Sequence, residues 1–334
     1  MPPKASIVMP VYNVAAYVAA SVASVQAQTF TSWELIVVND GSTDETCRIL
    51  QSLAREDHRI RLTSQQNAGV AKARNRGLDM AQGDVLVFLD GDDLWRKDYL
   101  EQTLAKLEEF QAGFVFCGVE YLEANGSLRP CVMKLPQGIL TPDALIEAML
   151  SGAITLCMGS VALRRTPAVR SLRFTEGCRY GEDTEYLIRV LPLSRSIYFL
   201  AEPLFLYRVR PGSVTQQDWD WRIRLDGVHA VDRAFEFVHD HCPKSVIGGH
   251  QSLRHFWKYR FLYRMVKEGI FKDAQELLDQ EAWRTALRSV AQGGSYWHRR
   301  KARILLGGNR LLWRLVSLCA ELKAQSDLAV RKGK

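Results

Sequence analysis

Short β-rich runs alternate with helical patterns through the first 120 residues, and this alternation limits the possible folds more than any other feature of the sequence. The runs SIVMPV (6–11), ELIVVND (34–40) and DVLVFLD (84–90) are apolar enough to be strands buried on both faces. Ser42 and Glu45 have capping-box spacing ahead of one of the helices between them. The alternation predicts an α/β fold with a mostly parallel sheet covered by helices on both faces.

The pattern becomes mixed beyond residue 140. LTPDALIEAMLSG and GEDTEYLIRVLPL predict helices, SIYFLAEPLFLYRV predicts a strand with a proline break, and TLCMGSVALRR fits either element. After about residue 218 the chain reads as helices rich in arginine and tryptophan. We therefore predict one domain over residues 1–218 and a helical, basic region over residues 219–334.

Composition excludes several classes of protein. The 334 residues are 47% hydrophobic and 24% charged, as in globular proteins rather than disordered or fibrous ones. The seven cysteines are scattered without a CxxC pair, which favours a reducing compartment over a disulfide framework or a zinc site. The N-terminal MPPKASIVMPVYN lacks the pattern of a secretion signal, and no apolar run is long enough to span a bilayer. These features predict a cytoplasmic protein.

The positive charge is concentrated at the C-terminal end. The net charge is +7, and residues 295–334 hold ten Lys or Arg against two acidic residues. Such a basic tail predicts an anionic partner. Nucleic acid is not the expected one, because no nucleic-acid-binding motif accompanies the tail.

Carboxylates follow two of the predicted strands. Asp40 and Asp90 each end a strand, and Asp92 and Asp93 come next in VLVFLDGDDLW (85–95). Ligands of open parallel sheets bind beyond the carboxyl ends of the strands, so these acids share one rim. A DG turn explains Asp40 equally well, but the extra acids of DGDD repel one another unless a cation is near. Carboxylates suit Mg²⁺ or Mn²⁺ beside substrate phosphates, whereas EF-hand, P-loop and GxGxxG motifs are missing.

Two later segments could also carry chemistry. Glu182, Asp183 and Glu185 open a predicted helix, where they either complement the helix dipole or supply a general base. YRVRPGSVT (207–215) is either a basic surface loop or a flexible clamp on phosphate. Spacing alone leaves both alternatives open.

Five segments taken together resemble the family 2 glycosyltransferases, which have the Rossmann-like GT-A fold. They span residues 6–215 and are SIVMPVYN, ELIVVNDGSTDET, QNAGVAKARNRGLDMAQGDVLVFLDGDDLW, GEDTEYLIRV and YRVRPGSVT. The resemblance implies a nucleotide site at the end of the first strand. It would be lined by Pro10, Tyr12 and Asn13, with Asp40 on the uracil or ribose and Arg74 near the nucleotide.

The resemblance also implies roles for the remaining acids. Asp90 and Asp92 match the DxD motif, which holds Mg²⁺ or Mn²⁺ against the donor diphosphate, whereas Asp93 is the acid least expected to touch the metal. Asp183 matches the catalytic base of the ED motif, and Glu182 is the fallback. Relatives often carry histidine near the second arginine of YRVR, and arginine cannot coordinate a cation. Both arginines would instead approach the diphosphate, Arg208 and Arg210.

The implied activity is inverting, metal-dependent transfer of a sugar from a UDP-sugar to a saccharide or lipid-linked saccharide. Bacterial members of the family often act in lipopolysaccharide, O-antigen or exopolysaccharide synthesis, and we expect such a role by analogy. The alternatives are a catalytically inactive sugar-nucleotide-binding scaffold and a nucleotidyltransferase of the same fold. The latter would need a Gly-rich, basic loop where this chain has PVYNVAAY.

The C-terminal helices lie outside the firm part of the resemblance. Helical spacing in NRLLWRLVSLCAELK puts arginines on one face and leucines on another, namely Arg310 and Arg314, and Leu311, Leu315 and Leu318. Most such helices pack on their own domain. The alternative is peripheral docking on the inner face of the cytoplasmic membrane, with arginine among anionic headgroups and Trp297 and Trp313 at the interface.

Overall fold

The computed structural model describes residues 3–210, 219–241, 250–318 and 320. All strands found there lie in the first range, and the predicted boundary at residue 218 falls outside the described residues. The strands are β1 (Ala5–Val11), β2 (Trp33–Asn39), β3 (Ile60–Ser64), β4 (Val85–Phe88), β5 (Leu94–Trp95), β6 (Phe114–Leu122), β7 (Leu128–Pro130), β8 (Gly138–Leu140), β9 (Val161–Arg164) and β10 (Ile197–Arg208).

Helices alternate with the strands and then continue alone, as predicted for the C-terminal extension. They are α1 (Val18–Gln26), α2 (Thr46–Glu56), α3 (Val70–Met80), α4 (Tyr99–Glu109), α5 (Pro142–Ser151), α6 (Pro167–Ser171), α7 (Glu182–Val190), α8 (Trp221–His241), α9 (His250–Lys267), α10 (Phe271–Leu278), α11 (Glu281–Gly293) and α12 (Tyr296–Leu306). Residues 310–318 are also helical. Within the described ranges, no helix combines the length and apolar character needed to cross a membrane.

The strands form one sheet in the order β3-β2-β1-β4-β9-β6-β10-β5, with β7 on β6 and β8 on β10. The first four strands of this order are parallel, and so are β6 and β10. β9 runs antiparallel to both of its neighbours. The sheet is therefore mixed: it has the parallel part that the sequence predicts, in which β1, β2 and β4 present their carboxyl ends at one edge, and antiparallel strands extend it.

Two apolar clusters cover the two faces of the sheet, because successive side chains of a strand point to opposite sides. In β1, Ile7 and Met9 enter the cluster beneath α1, α2 and α4, whereas Val8 enters the cluster beneath α3, α5, α7 and α8. Fully burying a side chain of this size contributes about 1.5–3 kcal/mol. A third cluster lies within α8–α12, and α8 belongs to two clusters through Val228 and Val231.

The structure corrects or completes some local predictions. The strand β3 was not predicted, and TLCMGSVALRR resolves into a 3-10 turn followed by β9. The predicted capping box is wrong, because Ser42 Oγ accepts the N–H of Asn13 at 3.0 Å, and Glu45 makes no side-chain cap. The N–H of Thr46 instead donates to Asp44 Oδ1 at 3.0 Å. Ser42 thus joins two loops at the sheet edge rather than capping its own helix.

Close packing of α3 on β1 generates a test of the fold. A Cβ added at Gly77 would lie 2.4 Å from Val8 Cγ1. We expect Gly77→Ala to lower the free energy of unfolding by about 1–2 kcal/mol, because overpacking outweighs the gain in helix propensity. Urea denaturation measures the change. Gly293→Ala is the matched control, since a Cβ there meets open space at the end of α11, and a Gly77→Ala protein as stable as wild type would contradict the expectation.

Candidate active site

The loops that follow β1 and β2 are locked together. Asn13 has a left-handed backbone (φ +49), and its Oδ1 accepts the N–H of Thr43 at 2.8 Å. Pro10 pairs with Val38 inside the sheet, whereas the Tyr12 side chain next to it is about half exposed. Tyr12 and Asn13 are therefore exposed at the sheet edge, whereas Pro10 is buried beneath them in the strand.

Asp40 is buried at this edge, where it organises the next loop. Its Oδ1 accepts from Gln65 Nε2 at 2.8 Å and from the N–H of Ala68 at 2.9 Å. Its Oδ2 accepts from the N–H of Gly69 at 2.8 Å. The carboxylate thus ties the segment that precedes α3 to the end of β2, which fixes where α3 begins.

The DGDD segment follows β4, and its three acids differ in how far they are exposed to solvent. The Asp90 side chain is 38% exposed and that of Asp92 is 19% exposed. Asp93 is buried and accepts the N–H of Arg208 at 2.8 Å. Burial raises the pKa of Asp93 well above its ordinary value, and repulsion from Asp92 and Asp90 raises it further. Asp93 therefore attaches the DGDD segment to the end of β10.

Two arginines at the end of β10 lie against the DGDD segment. Arg208 Nε donates to the carbonyl oxygen of Asp92 at 2.8 Å, and Arg210 Nε donates to Asp92 Oδ2 at 2.5 Å. Burial and the neighbouring Asp90 raise the pKa of Asp92, and the bond from Arg210 works in the opposite direction. Both guanidinium groups also lie over the ring of Tyr17, at 5.3 and 5.5 Å from its centroid. The rest of YRVRPGSVT, residues 211–215, lies outside the described residues.

Arg74 is the buried centre of the acidic region. It extends from α3, is 3% exposed, and donates to Asp90 Oδ1 at 3.0 Å and to Glu182 Oε1 at 2.9 Å. Burial alone would lower the Arg74 pKa, but Asp90, Glu182 and Asp183 more than offset this effect, so the pKa lies above its ordinary value. Its guanidinium carbon also lies 5.3 Å from the centroid of the Phe174 ring. Arg74 thus connects the acids after β4 with those that begin α7.

The acids at the start of α7 differ in their surroundings. Burial raises the Glu182 pKa to about 7, repulsion from Asp183 adds to the shift, and Arg74 opposes it. Asp183 Oδ1 accepts the N–H of the adjacent Thr184 at 2.6 Å. α7 begins after Gly181, whose left-handed backbone (φ +85) and close approach to Gly227 of α8 suit glycine. Glu182 is therefore held in a buried ion pair, whereas Asp183 is held by its own helix.

Comparisons with known proteins identify the family of this chain. Residues 6–173, about half of the chain, match the family model described as Glycosyl transferase family 2. The chain belongs to glycosyl transferase family 2. GlyA of Streptococcus pneumoniae serotype 4 is 31% identical over 220 residues, which cover 64% of this chain and 32% of GlyA. TuaG of Bacillus subtilis, named for teichuronic acid biosynthesis, is 31% identical over 218 residues, which cover 65% of this chain and 83% of TuaG. This family 2 chain thus spans about a third of GlyA and most of TuaG.

A solved structure confirms the fold. Residues 1–349 of S. aureus TarS in complex with UDP-GlcNAc superimpose with a TM-score of 0.68 at 19% identity, covering 96% of this chain and 92% of that one. The likeness extends over the C-terminal helices because nearly the whole chain is covered. The predicted α/β GT-A fold and the predicted glycosyltransferase family are therefore confirmed, and the roles of individual residues stay predictions.

The donor set at the DGDD segment fits only one kind of metal site. Among the residues that the structure describes, no group of three or more His, Cys, Asp or Glu side chains is arranged to hold a metal. Asp90 and Asp92 offer carboxylate oxygens, and Mg²⁺ is commonly held by one or two carboxylates together with substrate phosphates. These acids therefore fit a cation that binds together with a diphosphate, and they do not fit a cage made by protein alone.

The sequence did not predict the contact made by Tyr17 or the surroundings of Cys157, and it left the role of Glu185 undecided. Tyr17 stacks beneath both arginines, and nothing in its Ala-rich surroundings signals that contact. Burial raises the pKa of Cys157 well above its ordinary value, and the negative charges of Asp93 and Asp183 raise it further. Glu185 is buried and accepts from Arg233 Nη2 of α8 at 2.7 Å. Glu185, the third acid of GEDTEYLIRV, therefore has a structural role.

The bridge through Arg74 generates a second test. We expect Arg74→Met to lower the free energy of unfolding by about 3 kcal/mol, because it leaves the buried Glu182 and the half-buried Asp90 without their cation. Arg76→Met is the control, since Arg76 is exposed on the same helix. Adding Glu182→Gln to Arg74→Met should restore part of the loss. If Arg74→Met and Arg76→Met gave the same urea unfolding curve, the stabilising role of the ion pairs of Arg74 would be contradicted.

Proposed function

We propose that the protein is an inverting, metal-dependent glycosyltransferase that transfers a sugar from a UDP-sugar to a saccharide or lipid-linked saccharide. The observation that carries the proposal is the Arg74 guanidinium, which donates to both Asp90 and Glu182. It joins the acids proposed to face the donor diphosphate to those proposed to activate the acceptor. Glycosyl transfer needs both groups around one anomeric carbon, so this short connection supports a single reaction centre.

The donor nucleotide would bind at the carboxyl ends of β1, β2 and β4. S. aureus TarS was solved with UDP-GlcNAc, which supports a UDP-sugar as donor. Pro10, Tyr12 and Asn13 would line the nucleotide site, with the exposed Tyr12 ring available to the base or ribose. A carboxylate has about four lone-pair sites and Asp40 uses three of them within the chain, so it can still accept one hydrogen bond from the uracil or ribose.

A divalent cation, Mg²⁺ or Mn²⁺, would be held by Asp92 and Asp90 together with the diphosphate. When bound, it supplies a Lewis acid that offsets the negative charge on the leaving group. Arg208 and Arg210 already lie beside Asp92, and guanidinium groups bind phosphate in a bidentate manner. We therefore assign both arginines to the diphosphate, where Arg210 would exchange its bond with Asp92 for one with phosphate.

Asp183 would be the general base. It takes the proton of the acceptor hydroxyl as the oxygen attacks the anomeric carbon. The new C–O bond forms while the bond from that carbon to the diphosphate oxygen breaks, and UDP leaves with the electron pair. Attack from the face opposite UDP inverts the configuration, as in inverting glycosidases. Glu182 is the weaker candidate because Arg74 holds its carboxylate in a buried ion pair.

The biological role proposed is synthesis of a bacterial cell-envelope polysaccharide. TuaG, similar over most of its length, is named for teichuronic acid biosynthesis, and this supports an envelope polysaccharide, with lipopolysaccharide, O-antigen and exopolysaccharide as the classes expected from the sequence. Such acceptors are often lipid-linked, so the proposal includes peripheral contact of the C-terminal helices with the inner face of the cytoplasmic membrane. A scaffold would bind the donor without turnover, and a nucleotidyltransferase would release pyrophosphate from UTP and a sugar 1-phosphate.

Replacing the proposed base tests the mechanism. We expect Asp183→Asn to lower kcat by about 10²–10⁴-fold, because the amide cannot accept the acceptor proton. The affinity for UDP, measured by calorimetry, should be unchanged, since donor binding does not depend on this proton transfer. Glu182→Gln is the matched comparison at the next position. If Asp183→Asn turns over normally and Glu182→Gln does not, the base is Glu182.

The metal and the donor are tested together by thermal unfolding. We expect one member of a panel of UDP- and GDP-sugars to raise the Tm in the presence of Mn²⁺, because a ligand at about 100 times its Kd stabilises the folded state by about 2.7 kcal/mol. EDTA should remove the shift, and Asp92→Asn should weaken it. A Tm that no sugar nucleotide raises and that EDTA leaves unchanged would contradict the proposed function.

A further inference from the structure

The outer surface of the C-terminal helices is strongly basic. Between Glu281 and Glu321 the sequence holds eight Lys or Arg and no acidic residue. Exposed arginines of this stretch form no ion pair within the part of the chain that the structure describes: Arg299, Arg300, Arg303, Arg310 and Arg314. Elsewhere arginines of the same bundle are paired, as Arg288 is with Glu281 at 2.6 Å. Among the described residues, these arginines therefore carry charge that no acidic side chain compensates.

Exposed leucines lie next to these arginines. Helix 310–318 docks on the bundle through Trp313, which is 1% exposed and donates its indole N–H to the carbonyl oxygen of Ile304 at 3.2 Å. The opposite side is left uncovered, with Leu311 72%, Leu315 51% and Leu318 52% exposed. Trp313 is therefore a packing residue, as in the interpretation that the helix packs on its own domain, and it takes no part in the alternative membrane interface. The helix packs on its own domain by its tryptophan and presents its leucine face to the outside.

A cleft of about 590 Å³ opens on the same surface. Its lining includes three arginines, a tyrosine and a leucine, namely Arg299, Arg300, Arg303, Tyr296 and Leu312. Tyr296 and the neighbouring Trp297 are 61% and 63% exposed. Aromatic rings of this kind are enriched at the level of lipid headgroups. The cleft thus combines groups that pair with phosphate and groups that suit the edge of a hydrocarbon layer.

The chemistry of the surface selects one partner among three. A soluble anionic polymer would pair with the arginines but would leave the leucines in water. A second copy of the chain on this face would bring unpaired arginines against unpaired arginines, which costs free energy by repulsion. A bilayer that contains anionic lipid satisfies both, because apolar side chains enter the acyl boundary while arginines stay among the headgroups.

We propose that helix 310–318 and the arginine cleft beside it form a docking surface for an anionic phospholipid membrane. The three exposed leucines enter the interface, Arg310 and Arg314 contact headgroups along the same helix, and the cleft receives the phosphate of one lipid. This inference rests on the membrane contact included in the proposed function and assigns that contact to a specific surface; docking by this surface depends on neither the donor sugar nor the acceptor, so it is tested separately from the reaction.

Vesicle flotation of the full chain tests the surface. We expect the protein to float with phosphatidylcholine vesicles that contain phosphatidylglycerol, to stay behind with phosphatidylcholine alone, and to be released by salt. Arg310→Gln with Arg314→Gln should weaken partitioning roughly thirty-fold, the effect of two basic residues near a charged surface. Leu311→Ser with Leu315→Ser and Leu318→Ser should reduce it to background. Arg299→Gln with Arg303→Gln should weaken it as the other arginine pair does.

Matched control variants distinguish binding by this surface from nonspecific electrostatic or hydrophobic binding by other parts of the chain. Arg55→Gln with Arg195→Gln removes two exposed charges from the sheet domain, and Leu128→Ser with Val132→Ser and Ile139→Ser removes three of its exposed apolar side chains. Both should float like wild type. The proposal is overturned if wild type never floats, if these controls lose binding equally, or if light scattering shows a dimer that the leucine variant dissociates while flotation is unchanged.

Discussion

A buried guanidinium holds the acidic end of this molecule together. Arg74 has almost no contact with solvent and donates to Asp90 after β4 and to Glu182 at the start of α7. Taking these charges out of water is unfavourable, and the arrangement is stable only because each partner compensates the others. The position of Arg74 depends in turn on α3, which begins where Asp40 fixes the preceding loop and packs on β1 through Gly77.

The carboxylates at this sheet edge affect both its stability and its capacity to bind a ligand. Burial and mutual repulsion raise the pKa values of Asp92, Asp93 and Glu182. Arg208 and Arg210 relieve part of this repulsion from the end of β10. A cation bound with a diphosphate would relieve more of it, because metal binding favours the deprotonated carboxylates. The charges at this edge are therefore consistent with the proposed binding of a cation together with the donor diphosphate.

The C-terminal helices pack against α7, the helix that begins at the candidate site. α8 reaches α7 through the ion pair of Arg233 with the buried Glu185, two residues from Asp183. α8 also contributes Val231 to the cluster under the sheet and Val228 to the cluster of the helical bundle. Packed side chains therefore join the helical bundle to α7, the helix that carries the proposed base.

Local pattern determined much of this protein in advance. The buried runs of β1, β2 and β4, the helices between them and the acids at their ends follow from side-chain period and from the rule that parallel strands end at one edge. One prediction failed and one alternative was excluded for the same reason: Ser42 bonds to another loop instead of capping its helix, and Trp313 packs inward instead of lying at a membrane interface. Only the tertiary structure decided that Arg74 meets Glu182, 108 residues away, and that Glu185 is structural. Spacing along a chain encodes which side of an element a residue occupies, whereas contacts between distant elements depend on how the whole sheet and its helices pack.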